Sequence, residues 1–194
     1  MAVALLDRRR SFAVRTTFLS IARVCASSHT YHSSSILDLA HTELDASRSW
    51  PQHLSHLPSA ENFVAAAYLL ALTYEPFNVS LVAAGLAAPF LEVQRLALAH
   101  LQADEEAPSA DLQSLRQDLL PSLVALAESD TAASECRITA IEVLTKSEWT
   151  TEVGQLQETV ELLLKQHSST VIVPLREALL PLIAKLVTSV SHIA

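Results

Sequence analysis

Two groups of residues have types and spacings that could hold a metal ion. Cys25, His29 and His32 form a Cys-x3-His-x2-His run. Thiolate and imidazole suit zinc, but a closed zinc site takes four ligands, and the Ser-rich surroundings offer no fourth. His53 and His56 follow Trp50-Pro51 in a proline-bounded stretch, which reads as a surface loop. Cys136 is the one candidate nucleophile. It has no neighbouring histidine in sequence and sits at a packing position, so it reads, like Cys25, as a buried reduced thiol. Glu105-Glu106 reads as a solvent-facing acidic loop. The chain holds no G-x-S-x-G, H-E-x-x-H, C-x-x-C or G-x-x-x-x-G-K pattern. The expectation is no metal, no cofactor, no small-molecule substrate and no catalytic set, with a small helical enzyme of unrecognised site as the enzymatic alternative.

The elements that would carry these residues are helices. Half of the 194 residues are hydrophobic, 5% are aromatic, and glycine occurs only at Gly85 and Gly154, against an average usage of about 7%. Tight turns and phosphate-cradling loops draw on glycine for positive φ angles, so Rossmann, P-loop and β-barrel folds are excluded. An Ala/Leu-rich chain with little glycine favours helix. Apolar periodicity and punctuation predict helices over about 3–26, 35–46, 59–74, 78–87, 90–102, 111–128, 132–147, 152–167 and 171–190. Ser59 and Asp111 are candidate helix starts. The polar stretch 47–58 divides an N-terminal part, 1–46, from a longer part, 59–194, and a second break falls at 103–110. The longest uncharged stretch, Pro76 to Leu91, contains two prolines, Asn78, Ser80 and Gly85, so no membrane span is expected.

The longer part repeats itself. Glu92-Val93-Gln94-Arg95-Leu96-Ala97-Leu98-Ala99-His100-Leu101 matches Glu135-Cys136-Arg137-Ile138-Thr139-Ala140-Ile141-Glu142-Val143-Leu144 at an offset of 43 residues, and Leu81-Val82-Ala83 matches Leu123-Val124-Ala125 at 42. A weaker third copy, at 38, puts Ala178 and Leu182 where Ala140 and Leu144 stand. HEAT and armadillo units have this length and consist of antiparallel helices. Cys136-Arg137-x-x-Ala140-x-x-x-Leu144 follows the HEAT pattern Val-Arg-x-x-Ala-x-x-x-Leu, and Val14-Arg15 begins it near the N-terminus. A small Ala lets the helix approach its partner while Val and Leu reach a neighbour. At about 1.5–3 kcal/mol per buried side chain, such a helix is stable only when a neighbour covers it. The fold class expected is all-α, a HEAT/armadillo-like α-solenoid of antiparallel helix pairs.

The helix over 90–102 is apolar nearly all round and is expected to be buried between neighbours. Its narrow polar stripe, continued through the repeat, gives Glu92, Arg95, Glu135, Glu142 and Arg176, a sparse charged ladder on the concave face that could bind a partner; the alternative is a solvated face with ordinary i,i+3 pairs. Arg15 and Arg137 are expected to bond between repeats rather than grip a ligand.

Charge points to protein as the partner. The chain has a formal net charge of −8. Residues 1–35 hold five arginines against Asp7, a local +4, so the remainder is near −12. That acidic body repels a phosphate backbone. The N-terminal stretch, Arg- and Ser-rich and nearly free of acids, also has the features of a mitochondrial transit peptide. Asp7, the apolar stretch Phe18 to Cys25 and the Val14-Arg15 start favour a repeat helix instead, so a cytoplasmic protein is expected, with a mitochondrial one as the alternative.

The segment Pro89-x-x-Glu92-Val93 with Ala97-Leu98, behind a Leu/Ala-rich helix, resembles one from the C-terminal region of the thyroid adenoma-associated protein family. Cys136-Arg137-x-x-Ala140-x-x-x-Leu144 and the helix spacing over roughly 60–190 add to the likeness. That family comprises long helical-repeat proteins that regulate a tRNA 2′-O-methyltransferase. The resemblance implies a non-catalytic regulatory subunit, and a chain that is a C-terminal piece of a longer protein. The partner methyltransferase would carry the S-adenosylmethionine site and modify the anticodon loop, with tRNA met only indirectly here. The competing expectation is a general armadillo-type adaptor in transport or trafficking, using the charged ladder as its site.

Overall fold

A computed structural model describes residues 11–26, 33–49, 57–102, 110–147, 158, 160–161 and 173–191. The described residues are all-helical, and no strand occurs among them. In chain order the helices are α1 (Phe12–Ala26), α2 (Ser33–Arg48), α3 (Pro58–Tyr74), α4 (Val79–Leu86), α5 (Leu91–Gln102), α6 (Ala110–Asp118), α7 (Leu120–Glu128), α8 (Ser134–Lys146) and α9 (Val173–Ser191). The chain divides into two compact units, Met1–His100 and Leu101–Ala194. The expected helix over 152–167 and the breaks at 50–56 and 103–109 lie outside the described residues.

In the first unit α3 is the centre. It packs against α1, α2 and α4, and α2 also meets α4. Its alanines and large apolar residues are buried nearly all round: Ala60, Phe63, Val64, Ala65, Ala67, Tyr68, Leu70, Ala71 and Leu72. The sequence expectation gave that role to the helix over 90–102. Instead α5 buries one face, Val93, Ala97, Leu98 and Leu101, and leaves Ala99 exposed. α3 also starts before Ser59. Leu57 stands at the cap, and Pro58 opens the helix, where its missing N–H costs nothing because that group has no intrahelical partner. Asn78 starts α4: its side chain accepts from the Leu81 amide at 3.0 Å and donates to Glu75 at 2.8 Å. Glu61 reaches from α3 to the N-terminus of α5, where its carboxylate accepts the Glu92 N–H at 3.1 Å. A negative charge is favourable there.

Close approach of α4 to α3 depends on Gly85. A Cβ at that position would overlap the Tyr68 hydroxyl oxygen and the ring carbon that bears it. The phenol therefore lies against bare backbone. Its hydroxyl is fully buried and finds no hydrogen-bond partner among the described residues. Burial pushes the Tyr68 phenol well above its ordinary value, so it stays neutral.

In the second unit α8 is the centre, packed against α7 on one side and α9 on the other. Of the two expected repeat pairs, α7 and α8 pack closely on each other, whereas α4 and α5 have no comparable close approach of their backbones. The single helix expected over 111–128 is two helices. Pro121 lacks an N–H, and its ring excludes the carbonyl four residues back, so α6 ends at Asp118 and a new helix starts at Leu120. The repeat positions of the first two copies agree in burial: Val93, Ala97 and Leu101, then Cys136, Ala140 and Leu144, are each at most 1% exposed; of the third copy Leu182 is equally buried but Ala178 is only half-buried. Val14, by contrast, is 42% exposed, so the N-terminal start of the pattern does not pack as a repeat helix.

Gly85→Ala should destabilise the protein by about 1–3 kcal/mol despite the better helix propensity of alanine, because the Tyr68 ring has to move. Tyr68→Phe should be neutral or stabilising by about 1 kcal/mol, since it removes a buried hydroxyl without a partner. In alkaline unfolding the native chain should lose stability above about pH 10, where only the unfolded phenol ionises. Chemical denaturation across that range should show Tyr68→Phe lacking this part of the loss.

Candidate functional site

The charged residues divide into those turned inward and those left on the surface. Arg15 of α1 is 3% exposed and Glu43 of α2 likewise, and their side chains form an ion pair at 2.7 Å. The Arg15 guanidinium lies over the Phe63 ring of α3, 4.0 Å from its centroid, and the Phe12 ring packs on Phe63 with centroids 5.8 Å apart. One cation thereby ties three helices together through a carboxylate and two rings. A weakly hydrated, planar guanidinium suits such a site better than an ammonium.

The second unit uses its cations differently. Buried Arg116 donates from Nε to the Leu101 carbonyl at 2.9 Å and from Nη2 to the same oxygen. Buried Arg137 donates from Nε to the Ala127 carbonyl at 2.9 Å. Lys185 donates to the Thr145 carbonyl at 2.8 Å and to the Ser147 carbonyl. Leu101, Ala127 and Thr145 lie in the last turns of α5, α7 and α8, where the carbonyls have no intrahelical donor and the helix carries partial negative charge. Arg137 was expected to bond between repeats. The bond to Ala127 falls inside the α7–α8 pair, because a side chain at the start of α8 meets the end of the helix just before it. Of these residues sequence reading singled out only Arg15 and Arg137. Glu43, Arg116 and Lys185 were missed, since their carbonyl and arginine partners lie 15 to 40 residues away.

The ladder residues all stay on the surface: Glu92, Arg95, Glu135, Glu142 and Arg176 are exposed. Glu92 and Arg95 belong to the first unit, where they form an i,i+3 pair at 3.7 Å with each side chain about half exposed. Glu135, Glu142 and Arg176 belong to the second. There Gln102 at the end of α5 donates to Glu142 of α8 at 3.3 Å. The structure thus joins Glu92 with Arg95, and Gln102 with Glu142.

Cys136 is buried. His100 places Nε2 2.6 Å from the Pro76 carbonyl, a contact that fixes the loop before α4. Among the described residues no group of three His, Cys, Asp or Glu side chains could hold a metal ion. His29, His32, His53, His56 and Glu105-Glu106 lie outside the described residues, as does the Cys25 side chain. No described helix is long and apolar enough to cross a membrane.

No family model, curated protein or solved structure matches the chain.

Replacing any one of Glu92, Arg95, Glu135, Glu142 or Arg176 by alanine should change stability by less than about 0.5 kcal/mol, as exposed charges do. Arg15→Ala should cost about 3–5 kcal/mol, because it strands the Glu43 carboxylate in the core. Urea denaturation of the six single variants checks both expectations together.

Proposed function

We propose that the chain is a non-catalytic helical-repeat scaffold, built as an α-solenoid segment of stacked antiparallel helix pairs, that serves a tRNA 2′-O-methyltransferase as its regulatory subunit. The observation that supports the scaffold reading is the division of the charges. Arg15, Arg116, Arg137 and Lys185 are turned to internal acceptors, while the exposed charges lie on solvent stripes of helices. Charges so placed shape a surface rather than a reaction site. The like burial of Val93/Ala97/Leu101 and Cys136/Ala140/Leu144 supports the repeat.

The methyltransferase as partner rests on the resemblance of Pro89-x-x-Glu92-Val93 and Cys136-Arg137-x-x-Ala140-x-x-x-Leu144 to the thyroid adenoma-associated family. In this reading the partner binds S-adenosylmethionine and carries the chemistry, and tRNA is met through it, in keeping with a net charge of −8. The place of action is the cytoplasm, with mitochondria as the alternative that the Arg-rich N-terminal stretch raises. The exposed ladder residues are the proposed partner contacts within each unit. They also support the second reading, a protein-binding adaptor in transport or trafficking.

Deleting the gene, or the region that encodes this chain, should reduce ribose 2′-O-methylation in the tRNA anticodon loop. Mapping of methylated riboses checks it: loss at one anticodon-loop position is expected, and an unchanged map overturns the methylation reading.

A further inference from the structure

Five of the large apolar side chains that remain exposed lie on two helices, Val14 and Ile21 on α1 and Val173, Leu180 and Val187 on α9. In both helices they recur every seven residues, which places them along one side. On α9 the stripe runs four turns, about 21 Å, and the other side, Leu175, Leu179, Leu182 and Leu186, is already buried. Single exposed apolar residues are ordinary, but an aligned series is not. The repeat sharpens the contrast. At the offset of 38, Val173 and Leu180 stand where α8 exposes Glu135 and Glu142. The same stripe is acidic on α8 and apolar on α9.

Charge says what fits the apolar stripe. The unit Leu101–Ala194 holds fourteen Asp and Glu against six Lys and Arg, whereas Met1–His100 holds seven of each. The whole net charge of −8 thus belongs to the unit that carries α9. Three of its six cations, Arg116, Arg137 and Lys185, are engaged with main-chain carbonyls, which leaves the outer surface more acidic still. The stretch that contains α1 is the opposite: beside Arg15, which is buried against Glu43, residues 1–35 hold four further arginines against Asp7 alone. α1 is also free to present its outer side while docked in its own unit, because it is held there by other residues, Arg15 and Leu19, both buried.

We infer that the α9 stripe receives α1 of a second copy of this chain, Val14 and Ile21 against Leu180 and Val187, with the basic N-terminal stretch set against the acidic unit. The contact is head-to-tail: each copy offers one α1 and one α9 surface, so association continues beyond the dimer unless a ring closes. It rests on the scaffold reading, since it extends the binding surface from copy to copy.

Sedimentation velocity and light scattering on the full chain test the inference through complementation. The native protein should gain mass above 21.1 kDa as concentration rises. Ile21→Asp alone and Leu180→Asp alone should each stay monomeric, because each spoils one of the two surfaces. Mixed in equal amounts they should give a species of twice the chain mass and nothing larger, since one intact surface remains on each. Raised salt should weaken this dimer. A native chain that stays monomeric, a single variant that still dimerises, a mixture that does not associate, or a dimer indifferent to salt would each overturn the inference. Circular dichroism reports whether the variants fold, and Val14→Asp with Val187→Asp provides a second pair. Ribose methylation in cells lacking the gene reads the partner's product, so failure of self-association and failure of the methylation reading are told apart.

Discussion

The structure depends on finding acceptors for cations that its helices bury. Packing helix against helix in a chain this apolar leaves helix ends and long side chains inside, where an unmet carbonyl or charge costs about 1–3 kcal/mol or more. Each unit answers the problem with arginine or lysine. In the first unit Arg15 joins α1 to α2 through Glu43 and to α3 through Phe63. In the second, Arg116, Arg137 and Lys185 each close the end of a helix. A guanidinium or ammonium does two things there at once: it supplies the missing donors, and it sets positive charge at the negative end of the helix dipole. The Arg15 pair has a different balance. Two ions removed from water are weak evidence of added stability, and what they give is one allowed way of seating α1 on α2 and α3.

That use of cations shapes the surface. With Arg116, Arg137 and Lys185 drawn inward, the second unit shows solvent mainly its acids, and the first, with equal numbers of each sign, carries its positive charge toward the N-terminus. The asymmetry lies in the composition of the two units, and the inward turn of these three cations adds to it. Apolar stripes on α1 and α9 remain exposed as well.

Much of the helical fold was legible because it is written locally. Ala/Leu periodicity, the scarcity of glycine and the prolines locate α3, α4, α5 and α8 to within a residue or two. Cys136 was readable as a core thiol from its apolar neighbours. The errors have physical causes. Pro121 sits inside a periodic stretch, and periodicity alone carried the expected helix across it. The helix over 90–102 looked buried all round because alanine counts as apolar, yet Ala99 faces solvent. The central role went instead to α3, whose many alanines let three helices approach it. Long-range partners were the least legible: nothing near Arg15 announces Glu43, and nothing near Arg116 announces the end of α5. The exposed ladder could be read from the repeat and the Glu92–Arg95 pair from its i,i+3 spacing, but the Gln102–Glu142 bond needed the fold.

The most direct measure of this account is the stability of Arg137→Met, which keeps the length and packing of the side chain and removes its donors. Followed by urea unfolding beside Arg95→Met as an exposed control, the Arg137 variant should lose about 1.5–3 kcal/mol, because the Ala127 carbonyl at the end of α7 loses a charged donor. The control should stay within about 0.5 kcal/mol of the native chain. Equal stabilities for the two variants would contradict the claim that inward-turned cations hold the helix ends.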